Sequence, residues 1–168
     1  MQETRLSAVS YVVLGFVEWA GEATPYRLKQ MVAVSVGNFW TLQHAQLYSE
    51  PERLAKAGYL TETRERDGRR RKLYSITEKG RQALAEWRAE PTDAIPELRS
   101  PALLKLFFGA DPAAVAPLQV EAHRRKLAEY EAIREQIPDS VPEGPRLALE
   151  AGIESARQQI AWWERLVG

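Results

Sequence analysis

The sequence predicts a mainly α-helical chain with one small β-hairpin, built as two units. Three observations carry that expectation. Apolar residues recur at helical spacing through most of the 168 residues, from Leu6 to Ala20 at one end and from Leu149 to Val167 at the other. Tyr59 to Glu65 and Arg70 to Ile76 read instead as strands around Asp67-Gly68, a strong signal for a two-residue hairpin turn. The stretch Glu90-Pro91-Thr92-Asp93-Ala94-Ile95-Pro96 is a shift in composition. It sets a boundary between residues 1–90 and residues 91–168.

Leu6, Val9, Val13, Phe16, Val17 and Ala20 form the stripe of a first helix, and Gly21-Glu22-Ala23 ends it. Thr24-Pro25 reads as an N-cap followed by proline in the first turn. Tyr26, Leu28, Met31 and Val32 follow as the core face of a second helix, with Gly37 as a C-terminal cap. Thr41 is the expected N-cap of a third helix whose Leu42, Leu47, Leu54 and Ala57 face inward. Pro51 conflicts with that helix, because proline removes a hydrogen bond and clashes with the carbonyl one turn back. A kink or a restart is expected there, before Gly58 stops the helix. In the hairpin, an Asp67-Gly68 turn pairs Tyr59 with Ile76 and Thr61 with Tyr74, but it also sets Arg64 against Arg71 and Arg66 against Arg69. Like charges directly opposite destabilise a ladder, so either the loop is longer or phosphate neutralises the tip. Thr77 caps a fourth helix to about Glu90, with Leu84 and Trp87 inward.

Beyond the boundary, Ser100-Pro101 opens a short helix to Phe108, too apolar in Leu103, Leu104, Leu106, Phe107 and Phe108 to stand exposed. Asp111-Pro112 caps a longer helix to about Ile137. The last helix places Leu149, Ile153, Ala156, Ile160, Trp163 and Val167 at spacings of three and four, the seam of a helix–helix contact. A seam of that kind on a terminal helix predicts dimerisation; packing on the first unit is the alternative.

Several functions find no residues to carry them. There is no cysteine, which excludes disulfides and thiolate chemistry. The two histidines, His44 and His123, fall in different units without a second ligand one turn away, so no metal site is expected. No glycine-rich phosphate loop and no serine elbow occurs, and the acidic residues lie mostly beside Arg or Lys. An enzyme is therefore not expected, nor is a cofactor. No signal-peptide pattern and no long apolar run occurs, so a cytoplasmic protein without a membrane segment is expected.

The charge distribution does point to a partner. Formal net charge is zero, yet six basic and two acidic residues fall between Arg64 and Lys72. A basic patch in a neutral protein can be the footprint of a phosphate-binding surface. The alternative is a solvated hairpin protected from edge pairing by its charge. A polar helix, a basic hairpin and another helix, in that order, match a winged helix-turn-helix. The candidate contacts to double-stranded DNA are Tyr26 and Arg27 on the second helix and Gln43, His44, Gln46, Tyr48, Ser49 and Arg53 on the third. On the wing they are Arg64, Arg66, Arg69, Arg70, Arg71 and Lys72. The wing supplies affinity through phosphates, and amides such as Gln43 and Gln46 read bases.

These residues also carry a resemblance. Val13-Leu14-Gly15-Phe16, Pro25-Tyr26-x-Leu28, Phe39-Trp40, Gln46-Leu47-Tyr48 and Leu54-x-x-x-Gly58-Tyr59-Leu60 occur in order. Arg71-x-x-Tyr74-x-Ile76-Thr77, Gly80 and Leu98-Arg99-x-Pro101-x-Leu103-Leu104-Lys105-Leu106-Phe107-Phe108 follow them. This series resembles the PadR family of bacterial transcriptional regulators over nearly the whole chain. The resemblance implies a homodimeric winged-helix regulator, usually a repressor, whose third helix enters the major groove and whose C-terminal helices dimerise. It also implies that a small aromatic compound can release DNA. Phe39, Trp40, Phe107, Phe108, Trp162 and Trp163 are candidates for lining such a cavity at the dimer interface; the alternative is that they are core. Two departures stand out. Gln43-His44-Ala45-Gln46 replaces the family's frequent Ser-Pro-Gly-Ser, and the proline that often follows the Leu-Tyr directly is here Pro51. A protein-interaction adaptor and a small-molecule sensor on the same scaffold are the competing expectations.

Overall fold

The computed structural model describes residues 5–64 and 70–167. They form two compact units, residues 1–94 and 95–168.

The first unit contains α1 (Ala8–Ala20), β1 (Glu22–Ala23), α2 (Pro25–Ala33), a 3-10 turn (Val36–Asn38), α3 (His44–Lys56), β2 (Leu60–Arg64), β3 (Lys72–Ile76) and α4 (Glu78–Ala89). Three boundaries have a clear local cause. The Thr24 hydroxyl accepts from the Arg27 N–H at the start of α2, and the Thr77 hydroxyl accepts from the Gly80 N–H at the start of α4. Helix α3 ends in a Schellman motif. Gly58 sits at φ 81°, its N–H donates to the Ala55 carbonyl, and the Tyr59 N–H donates to the Leu54 carbonyl. The core is formed by Val13, Leu14, Phe16 and Val17 of α1, Leu28 of α2, Leu47 and Leu54 of α3, Leu60, Tyr74 and Ile76 of the sheet, and Leu84 of α4.

Several expectations change here. Glu22-Ala23 does more than end α1: it adds a strand, giving an antiparallel sheet in the order β1-β3-β2. Two residues show no periodicity, so the sequence could not reveal it. Helix α3 is continuous from His44 to Lys56 with the buried Pro51 inside it, and its N-cap is Gln43 rather than Thr41. Gly37 lies in the 3-10 turn and caps nothing; a Cβ there would meet the Val32 carbonyl oxygen at 2.8 Å. Trp87 does not point inward. It is half-exposed and stacks flat on Tyr11, centroids 4.6 Å apart.

The ladder pairs Leu60 with Ile76, Glu62 with Tyr74 and Arg64 with Lys72. That is one residue away from the register of an Asp67-Gly68 turn. A slip of one residue moves every side chain to the other face. Burial of Leu60, Tyr74 and Ile76 on one face therefore decides the register against the turn preference. Asp67 and Gly68 themselves lie outside the described residues.

The second unit contains α5 (Pro101–Phe107), α6 (Pro112–Gln136) and α7 (Glu143–Glu164). The Ser100 hydroxyl and the Asp111 carboxylate cap α5 and α6 by accepting from the Leu103 and Ala113 N–H groups. Helices α6 and α7 span roughly 37 and 33 Å at 1.5 Å per residue and run antiparallel. Arg124–Glu164 at 2.6 Å and Arg157–Glu131 at 3.0 Å bridge them. Close to Gly152, a Cβ would meet the Tyr130 ring at 3.1 Å.

The seam on the last helix is real, but its middle is filled by the same chain. Ile153, Ala156 and Trp163 are buried, with Trp163 packed in a cluster with Ala102, Ala116 and Val120. Leu149 and Ile160 are half-buried and Val167 is exposed. Residues 137–142 fold α7 back on α6, and the Arg146 guanidinium donates to the Pro138 carbonyl at 2.7 Å. That return supplies the apolar partner which the spacing had suggested would come from a second copy. On α5 only Ala102 is fully buried, while Leu104, Phe107 and Phe108 stand exposed, against expectation.

Candidate nucleic-acid interface

Helix α3 presents its outer face by burying the opposite one. Leu47, Pro51 and Leu54 face the core. His44 and, one turn on, Tyr48 and Ser49 are exposed together with Gln43 and Gln46. Tyr26 and Arg27 are exposed on the first turn of α2. The Gln46 side-chain oxygen accepts from the Gln43 N–H at 3.2 Å, so Gln46 also closes the helix start. The Ser49 hydroxyl donates to the Ala45 carbonyl at 3.2 Å. His44 and Trp40 line a cavity of about 210 Å³ with Lys29, Thr41 and Leu47, between α2 and α3.

Arg53 does not belong with these. Its guanidinium donates to both oxygens of Glu50, at 2.6 and 2.9 Å, and to the Ser10 hydroxyl at 3.0 Å. Ser10 is fully buried and donates to Glu50 Oε1 at 2.6 Å. Sequence reading took Arg53 as a candidate DNA contact and missed this cluster. Its hydrogen-bond partner from α1, Ser10, lies forty residues away in sequence. Burial pushes the Glu50 carboxyl up. The hydrogen bonds from Arg53 and Ser10, with the Arg53 charge, outweigh that and hold it below the usual range. The cluster ties α1 to α3 and fixes how α3 leaves the core.

The wing also differs from expectation. Arg64 and Arg70 are exposed, and Arg70 adopts a left-handed φ of 49° where the chain re-enters the sheet. Arg71 is exposed as well. Arg66 and Arg69 lie outside the described residues. Lys72 is not an unpaired cation. Its ammonium lies 3.3 Å from Glu52 on α3 and 3.3 Å from Glu62 on β2. Glu62 also accepts from the Tyr74 hydroxyl at 3.1 Å. Burial, then Glu62, pushes the Tyr74 hydroxyl up to about 12, so it stays a donor.

The six aromatics proposed for a ligand cavity divide between the two units. Phe39 is exposed and Trp40 lines the small cavity beside α3. In the second unit Trp162 and Trp163 meet edge to face at 4.6 Å, and the Trp163 indole N–H is buried without a partner. Phe107 and Phe108 are 82% and 77% exposed, so they enclose nothing within the single chain. Among the described residues no group of acidic or histidine side chains could hold a metal ion, and no helix is long and apolar enough to cross a membrane.

Three helices, a small sheet with a basic wing and a fourth helix define the first unit as a winged helix-turn-helix, followed by a separate helical unit. Residues 13–86 match the model of the transcriptional regulator PadR-like family, and residues 98–167 match that of the virulence activator alpha C-terminal region. The negative transcriptional regulator PadR of Bacillus subtilis is 24% identical over 96% of this chain and 97% of its own length. The crystal structure of that protein with operator DNA superposes with a TM-score of 0.84 at 23% identity, covering 96% of this chain and 98% of the other. Its complex with p-coumaric acid gives 0.79 at 21% identity, with 97% of both chains covered. The winged-helix unit, over residues 13–86, belongs to the PadR-like family of transcriptional regulators.

Proposed function

We propose that this regulator binds operator DNA as a homodimer, with α3 in the major groove and the wing along the phosphate backbone. The observation that carries the reading is the outer face of α3. Gln43, His44, Tyr48 and Ser49 are solvent-facing on a helix whose opposite side is fully buried, beside a hairpin bearing Arg64, Arg70 and Arg71. Side chains placed that way can reach base edges, while guanidinium groups on the wing meet phosphates without reading sequence. Residues 1–94 are the DNA-binding unit and residues 95–168 the dimerisation unit. Since α6 fills the middle of the α7 seam, the surface that pairs two copies includes the exposed Leu104 and Phe107 of α5, Phe108 just after it and Leu118 of α6. Two copies would then address two half-sites about one DNA turn apart.

The sign of regulation is negative in this reading, following the Bacillus relative's name. An aromatic carboxylic acid is the effector class to test first, because that relative was solved with p-coumaric acid. In vitro selection of duplexes with the full chain, repeated with p-coumaric acid present, tests all of this. An enriched two-fold symmetric site, less well retained with the acid, is the expected result. Absence of any retarded duplex at low salt would overturn the DNA reading and favour a protein-binding role.

A further inference from the structure

On the wing, the Lys72 ammonium is held between two carboxylates from different elements. Glu52 reaches it from α3 and Glu62 from the neighbouring strand, both at 3.3 Å. Glu52 is itself gripped by Lys56, one turn on, at 2.9 Å. None of these groups is deeply buried: Lys72 keeps 35% of its side-chain surface and Glu52 keeps 44%. The ladder sets Arg64 directly opposite Lys72, so the carboxylates also offset a repulsion between like charges.

We propose that Glu52, with Glu62, acts as an internal phosphate mimic that occupies Lys72 in the free protein and so lowers affinity for DNA of arbitrary sequence. The inference rests on the DNA-binding reading above. Two carboxylate oxygens around an ammonium offer what two phosphate oxygens would offer, and a backbone phosphate must displace them to gain the contact. On an arbitrary duplex, where α3 makes no good base contacts, that exchange gains little. On the operator, base contacts seat the wing and the exchange follows. Glu52 is thus a specificity-determining residue that works by weakening the wrong complexes. It belongs to the recognition helix itself, so the position of α3 and the availability of Lys72 are linked.

The test compares the full chain with Glu52→Gln, Lys72→Ala and the double variant on a duplex of scrambled sequence, over a range of salt. Glu62→Gln serves as a second, independent release of Lys72. Circular dichroism and thermal melts establish that each variant is folded. Glu52→Gln is expected to tighten low-salt binding on the order of threefold, the scale of one exposed ion pair. It should also steepen the salt dependence by about 0.9 in log–log slope, one phosphate contact. In the Lys72→Ala background the same change should do neither. If Glu52→Gln leaves affinity and slope as they are, or gives an equal gain without Lys72, the mimic is refuted. The second outcome would show a general field effect of one charge less. If the unaltered chain binds no duplex, the DNA reading falls and this inference falls with it.

Discussion

Ser10→Ala is the sharpest perturbation of the α1–α3 junction. The hydroxyl is fully buried, donates to Glu50 at 2.6 Å and accepts from the Arg53 guanidinium at 3.0 Å and the Ser7 N–H at 2.8 Å. Alanine fits the space, so no cavity term enters. The loss is a hydrogen bond to a charged group, about 1.5–3 kcal/mol. Taking about 2 kcal/mol, the ratio of closed to open forms at this junction falls roughly 30-fold. The pH dependence follows from Glu50, whose carboxyl is held below its ordinary 4.5 in the folded chain. A depressed pKa gives stability that is complete above the unfolded value and is lost as pH falls through the folded one. The hydroxyl helps to depress it, so the gap between the parent and Ser10→Ala should be widest at neutral pH and narrow once Glu50 is protonated. Hydrogen exchange followed by mass spectrometry on peptides from α1 and α3 reads this unit separately from the helical one. A loss of protection below about 0.5 kcal/mol, inside the range of ordinary surface changes, would refute the reasoning. So would a gap that does not narrow in acid.

Other substitutions test the rest of the structure. Gly80→Ala should destabilise the first unit by about 3 kcal/mol, because a Cβ would meet the Tyr59 carbonyl at 2.3 Å and Ile76 at 2.8 Å; urea denaturation measures it. Arg70→Ala should weaken binding to all duplexes alike and lower the salt slope by about one, whereas Gln43→Ala should change the selected sequence, as duplex selection would reveal. Phe107→Glu should weaken dimerisation at least tenfold, seen by sedimentation, without changing the helix content of the protein; a dimer of unchanged affinity would place the interface elsewhere.

What was legible in the sequence was whatever depends on near neighbours. Thr24, Thr77, Ser100 and Asp111 cap helices because a cap and the N–H it accepts from lie within three residues. The apolar stripes of α1 and α7 were equally plain, since periodicity shows that a helix buries one face. It does not show against what. The spacing of Ile153, Ala156 and Trp163 looks the same whether the partner is α6 of the same chain or α7 of another. Only the short return after Gln136 decides it. The ladder register expected from Asp67-Gly68 differs for a related reason: turn preference is worth less than burying Leu60, Tyr74 and Ile76 together, and that burial is a property of the whole unit.

The charges on and beside α3 show the same limit with a functional consequence. Counted along the chain, Arg53 and Lys72 are two more cations on a basic surface. In the fold each has been claimed by a carboxylate of α3, Arg53 by Glu50 and Lys72 by Glu52. The two pairs do different work. Glu50 is nearly buried and shares its cation with Ser10, so breaking it unseats the helix. Glu52 is accessible and shares its lysine with the wing, so phosphate can compete for it. A helix that must read sequence needs both: a rigid seat, so that its outer face meets base edges in one orientation, and a restrained wing, so that phosphate attraction alone does not hold it on the wrong site. On this view the acidic residues of α3 are part of how the regulator discriminates.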